Sequence, residues 1–177
     1  MPLPARSVKS ALGPLVLALV PLLAACSSDD EVALYCPEAY RVGDASRLVK
    51  FVGAGRDLTD VRYEVELQGV GLVCEYDDDV VENVLRVALL ATRGPADQER
   101  LAPVKYFVAI TTLDQRIVAR EEFELAIPFE GNRTRVAVAE ELEPRIPLKP
   151  GESGADYQIY VGLSLSREEL RYNRENR

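Results

Sequence analysis

The chain contains no histidine and no tryptophan among its 177 residues. Histidine is the usual general base near neutral pH and the commonest metal-binding side chain. Its absence weighs against a serine triad, and three cysteines are too few to replace it at zinc, copper or haem sites. No G-x-S-x-G elbow occurs. Basic residues are the minority, 21 against 29 acidic, for a net charge of −8. That balance excludes the Lys/Arg-rich surface that phosphate backbones require, so no nucleic-acid partner is expected. There is no internal repeat and no low-complexity tract. No cofactor, metal or catalytic set is expected, and the protein is read as a non-enzyme.

What is present begins at the N-terminus. Residues 1–10 carry Arg6 and Lys9 with no acidic residue, and residues 11–25, ALGPLVLALVPLLAA, form an apolar run. The run is shorter than the ~20 apolar residues a spanning helix needs, and Pro14 and Pro21 would interrupt a helix. A cleaved leader fits these features. The run closes on Leu23-Ala24-Ala25-Cys26, which resembles the lipobox of bacterial lipoproteins. The resemblance implies removal of residues 1–25, a diacylglyceryl group on Cys26 and acylation of the new N-terminus. Each buried methylene adds ~0.8 kcal/mol, so several chains give durable anchoring. Lipoproteins retained at the inner membrane of Gram-negative bacteria often carry Asp after the cysteine. Ser27 in that position implies the outer membrane, facing the periplasm.

Residues 26–35 are then a lipidated N-terminus and tether, and residues 36–177 one domain, a usual size for a single core. Residues 27–35 fully extended reach roughly 30 Å, which keeps the domain near the membrane. With Cys26 committed to lipid, Cys36 and Cys74 are left in an oxidising compartment. They form a possible disulfide, two buried free thiols being the alternative. On the chain-entropy account such a bond contributes roughly 4 kcal/mol.

Period-2 alternation predicts strands along the domain. Ser46–Val52 is a candidate first strand. Val61, Tyr63, Val65 and Leu67 alternate with polar residues; Gly69 breaks the pattern, and Val70, Leu72, Cys74 and Tyr76 resume it. Leu85, Val87, Leu89 and Ala91 make a further face. A polar loop over residues 94–103 precedes a hairpin of Lys105–Leu113 and Ile117–Ile127 about Asp114-Gln115. Its inner faces are Tyr106, Val108 and Ile110, and Phe123, Leu125 and Ile127, with Pro128 ending the second strand. Arg133–Glu140, a Pro-rich crossing and the alternating Tyr157–Leu165 complete the set. Ser166-Arg167-Glu168-Glu169 reads as a capping box for a short C-terminal helix. The expectation is all-β: an antiparallel β-sandwich of about seven or eight short strands. Leu148-Lys149-Pro150-Gly151 ahead of Asp156–Val161 resembles the approach to the tyrosine-bearing strand of fibronectin type III domains. That resemblance implies an immunoglobulin-like sandwich and carries no function.

Five local clusters have competing interpretations. Asp77-Asp78-Asp79 could contribute to calcium binding, but lacks D-x-D-x-D-G spacing and reads better as a solvated turn. Glu121-Glu122 and Glu140-Glu141 raise the reading of paired catalytic carboxylates, yet adjacent strand residues face opposite sides. Glu121 alone falls on the apolar side, where it matters if buried. Asn132-Arg133-Thr134 matches a glycosylation sequon that bacterial lipoproteins do not generally use. Arg167, Arg171, Arg174 and Arg177 lie three to four apart and could meet anionic headgroups or an acidic partner, though a solvated, fraying end is the simpler reading. The function expected is a membrane-anchored accessory or binding module for another envelope protein. The alternative is a small-molecule or lipid carrier with an apolar pocket between its sheets.

Overall fold

The structure is a computed structural model and describes residues 34–176. The leader, Cys26, the tether as far as residue 33, and Arg177 lie outside the described residues. Among those described, nine strands and one α-helix form an all-β sandwich: β1 Glu38–Arg41, β2 Arg47–Phe51, β3 Val61–Asp77, β4 Val80–Arg93, β5 Leu101–Thr112, β6 Ile117–Pro128, β7 Arg135–Leu142, β8 Arg145–Pro147, β9 Tyr157–Leu163 and α1 Arg167–Glu175.

One sheet has the order β1-β9-β5-β6; the other is β2-β3-β4-β7, with β8 also on β4. The pairing is antiparallel except at β1, which runs parallel to β9 with Glu38 opposite Gln158. Expected as short, the strands include ribbons of 17 and 14 residues in β3 and β4. The two unanticipated strands, β1 and β8, have four and three residues, too few for alternation to register. The stretch from Leu148 to Val161 leads into β9, the last strand among the described residues.

Gly69 does not break β3. The register with β4 passes from Leu67↔Leu89 to Gly69↔Ala88, leaving Gln68 as the unpaired residue of a β-bulge. A one-residue slip exchanges the faces of a strand. The bulge therefore carries Tyr63, Val65 and Leu67 before it, and Val70, Leu72, Cys74 and Tyr76 after it, onto the same inner face. The carbonyl of Leu67 accepts from the Arg41 guanidinium at 2.7 Å, which ties β1 to the bulge.

The interior is filled by alternating residues from both sheets. Tyr63, Leu67, Leu85 and Leu89 come from one; Tyr106, Ile127, Ile159 and Leu163 come from the other. Two tyrosines reach across with their hydroxyls: Tyr63 donates to the carbonyl of Pro103 at 2.7 Å and Tyr106 to Glu140 at 3.1 Å. Each gives a half-buried polar tip a partner while the ring contributes to the core.

The C-terminal helix is not a fraying end. Ser166 caps it, accepting from the Glu169 N–H, and Glu169 returns the bond to the Ser166 N–H. Asn173, buried beneath it, donates to the carbonyls of Asp44 and Arg47. Tyr172 meets Phe51 edge to face, and Lys50 pairs with Glu169 at 2.7 Å. Of its arginines, Arg174 is paired with Asp44 and Arg171 lies beside Glu175. The three-to-four spacing thus serves docking and local pairing as much as solvation.

Candidate functional site

Four features gather at one end of the sandwich. Thr112 pairs with Tyr157 and Glu38 with Gln158, so the β5–β6 turn, the start of β9 and the beginning of the domain share that end. Cys36 is disulfide-bonded to Cys74, which brings the β3–β4 tip there too. The Tyr76 hydroxyl donates to the Tyr35 carbonyl at 2.6 Å and accepts from the Gly154 N–H at 2.7 Å. Gly154 is required by proximity: a Cβ there would lie 2.4 Å from the Tyr35 carbonyl oxygen. Tyr35 and Cys36, at the start of the described residues, are therefore clamped between β3 and the approach to β9.

Asp77-Asp78-Asp79 forms the β3–β4 turn, with Asp78 in the left-handed region at φ 52°. The Asp79 carbonyl accepts from the Leu148 N–H. Among the described residues no group of three or more His, Cys, Asp or Glu is placed to hold a metal ion. None of their helices is long and apolar enough to cross a membrane. Asn132 is exposed in the turn between β6 and β7.

The carboxylate doublets split as strand geometry requires. Glu140 faces inward at the sandwich margin, where it accepts from Tyr106, and Glu141 faces outward. Burial, with the Glu140 hydrogen bond behind it, raises the Tyr106 phenol above its usual range. Glu121 is exposed rather than buried, because the part of β6 that carries it has no strand on its far side. Glu122 points to the outer face, accepting from Ser164 and lying 3.7 Å from Arg120.

That open flank holds the most distinctive surface. β6 is a 12-residue edge strand, and its first six residues are exposed. Beside it runs a groove of about 460 Å³. Its floor is apolar: Val108 and Ile110 of β5, Phe123 of β6, Leu142 at the end of β7 and Pro144 of the β7–β8 connection. Phe123 is held by stacking on Tyr106, with ring centroids 5.2 Å apart. Asn83, buried on β4, fixes the opposite wall by donating from its side chain to the Pro144 carbonyl at 2.9 Å. The hollow sits at the margin of the sandwich, while the space between the sheets is occupied by the tyrosine, leucine and isoleucine side chains of the core.

Four charged residues line the groove, and they are not equivalent. Arg120 is drawn over the Phe107 ring, 4.7 Å from its centroid, and Arg145 is paired with Glu82 at 2.5 Å. Glu121 and Glu143 have no ion pair or hydrogen bond among the described residues. The alternation placed Phe123 on the inner face of its strand, which here forms one wall of the groove. The wall from Leu142 to Arg145 lay in the Pro-rich crossing, where the three residues of β8 are too few for alternation to register.

No protein-family profile, curated protein or solved structure matches the chain.

Proposed function

We propose that the protein is a membrane-anchored envelope lipoprotein, held through Cys26 at the outer membrane facing the periplasm, whose β-sandwich binds another envelope protein and performs no catalysis. Anchoring rests on the positively charged leader, the apolar run and the lipobox-like Leu23–Cys26. Binding rests on one observation: the 12-residue β6 edge, open along its exposed half and bordered by an apolar-floored groove. A free edge offers unpaired backbone N–H and C=O groups to an incoming strand, and an adjoining groove selects its side chains. A lipid or small-molecule carrier needs enclosed apolar space. The filled interior favours the edge-binding reading over that one.

The test places a photocrosslinking residue in cells at Val118 or Arg120 on β6, or at Val73 on the opposite sheet. Each is compared in the native chain and in Cys26→Ser. Specific adducts to one envelope protein from the β6 positions, with mass spectrometry showing an acylated Cys26, are the expected result. Adducts only from Val73, or an unmodified Cys26 at the mature N-terminus, would overturn the corresponding half of the reading.

A further inference from the structure

The inner face of β6 has a definite order along the groove: Ala119, Glu121, Phe123. Side chains directly opposite each other on neighbouring strands are the pairs that stabilise a sheet, and like charges there repel. A strand added to β6 would place one residue against each of these three. Its complement is apolar-x-basic-x-apolar, with the basic residue facing Glu121 and the apolar ones covering Ala119 and Phe123. Glu143 on the opposite wall presents a second carboxylate, and Leu142 and Pro144 extend the apolar contact.

The electrostatics select the sign. Both arginines of the rim already have partners, in the Phe107 ring and in Glu82, whereas both glutamates have none among the described residues. On the outer face of β6 the charges are balanced within the domain, with Glu124 paired to Lys105 and Glu122 beside Arg120. An inward-pointing charge on an edge strand repels an apolar strand. It admits one that brings the opposite charge, which makes Glu121 a discriminating residue as well as an attractive one.

We infer that the groove beside β6 receives an extended peptide segment of the pattern apolar-x-basic-x-apolar, added as a strand to β6 with its basic side chain between Glu121 and Glu143. The inference deepens the binding-module reading and depends on it.

The probe is the blocked heptapeptide Thr-Val-Thr-Arg-Thr-Val-Thr, titrated into the full chain in detergent and followed by backbone amide NMR. Two control peptides replace the Arg with Glu, or move the Arg to a neighbouring spacer position. The parent peptide is expected to shift amides over residues 117–123 and 142–145, and both controls to bind at least about tenfold more weakly. N-methylating the peptide at alternate residues is expected to abolish binding for one set and spare it for the other, because only one edge of the peptide meets β6. Glu121→Gln with Glu143→Gln is expected to weaken binding about tenfold. Asp78→Asn with Asp79→Asn, at the β3–β4 turn, is expected to leave it unchanged within a factor of about two.

Equal losses from both double variants would reduce the effect to diffuse attraction by an acidic protein and overturn the inference. So would amide shifts elsewhere, or indifference to N-methylation. If the peptide fails while β6 photocrosslinks persist in cells, the binding reading stands and only the partner chemistry is wrong. If both fail, the binding reading falls as well.

Discussion

Cys36 and Cys74 are joined by a disulfide with their Cα atoms 5.7 Å apart, and the bond fastens the first described residues of the domain to the far half of β3. Tyr76, two residues beyond Cys74, secures the same segment through its hydroxyl, shared between Tyr35 and Gly154. The clamp ties Tyr35 and Cys36 to β3 independently of β1, whose pairing with β9 spans only four residues.

Replacing both cysteines by alanine is expected to lower stability by about 2–5 kcal/mol, since the unfolded chain loses its cross-link. Equilibrium denaturation in urea measures the change. A loss under about 0.5 kcal/mol would mean that the Tyr76 hydrogen bonds and local packing hold the segment without the bond.

Deleting Gln68 is expected to leave the fold and the disulfide intact. It removes the one residue without a partner on β4 and keeps Leu67 and Val70 facing inward. Deleting Val73 instead reverses the faces of Cys74 and Tyr76 relative to Leu72, so free-thiol titration should detect two thiols in that variant and none from this pair in the first. Thiol release from the Gln68 deletion would show that the bulge does more than correct the phase.

Asn173→Ala is expected to cost about 1–3 kcal/mol, because the carbonyls of Asp44 and Arg47 lose a buried donor beneath α1. Asn176→Ala, which removes a bond only within the helix terminus, is expected to change stability by under about 0.5 kcal/mol. Hydrogen exchange of the α1 amides should rise in the first variant and not in the second.

With no histidine, stability is expected to be flat between about pH 6 and 9. Below that window three carboxylates matter. Burial pushes Glu169 upward, but hydrogen bonds from Lys50 and Ser166 outweigh it and hold its carboxyl below the usual range. The Tyr157 hydroxyl and the Lys149 N–H lower Glu152, and the Thr112 hydroxyl lowers Asp114. A folded-state pKa below the unfolded one stabilises above the ordinary carboxylate range near ~4 and is lost as pH falls through the lowered value. The tyrosines act with the opposite sense. The Glu152 hydrogen bond, with burial, raises Tyr157 to about 12, and burial raises Tyr106 and Tyr63. Their contribution is complete below the ordinary phenol value near ~10 and is lost as pH climbs through the raised ones. Thermal unfolding across this range checks both limbs; a step between pH 6 and 8 would contradict the account.

Much of the sandwich was legible because strand alternation is a local property. Tyr106, Val108 and Ile110 are buried as their spacing implied, the β5–β6 turn falls at Asp114-Gln115, and Ser166 caps the helix. The capping box could not reveal that Asn173 would reach carbonyls over a hundred residues earlier in the chain. Gly69 looked like a break because the sequence shows the phase of alternation change without showing that one partner strand runs past the change.

By itself the sequence determined the basic residues 1–10, the apolar run after them and its lipobox resemblance, the lack of histidine chemistry, and which residue of each alternating pair turns inward. These depend on residue type and on a two-residue repeat, and need no knowledge of what lies opposite. Tertiary structure alone decided which edges are closed and which stay open. β1 and β9 meet across the whole length of the domain, and β6 ends its sheet with no strand beyond it. The groove exists because pairing of β7 and β8 with β4 brings residues 142–145 beside residues 108–123. Such pairings are set by long-range hydrogen bonding and by burial of two faces against each other. No single stretch of chain contains that information.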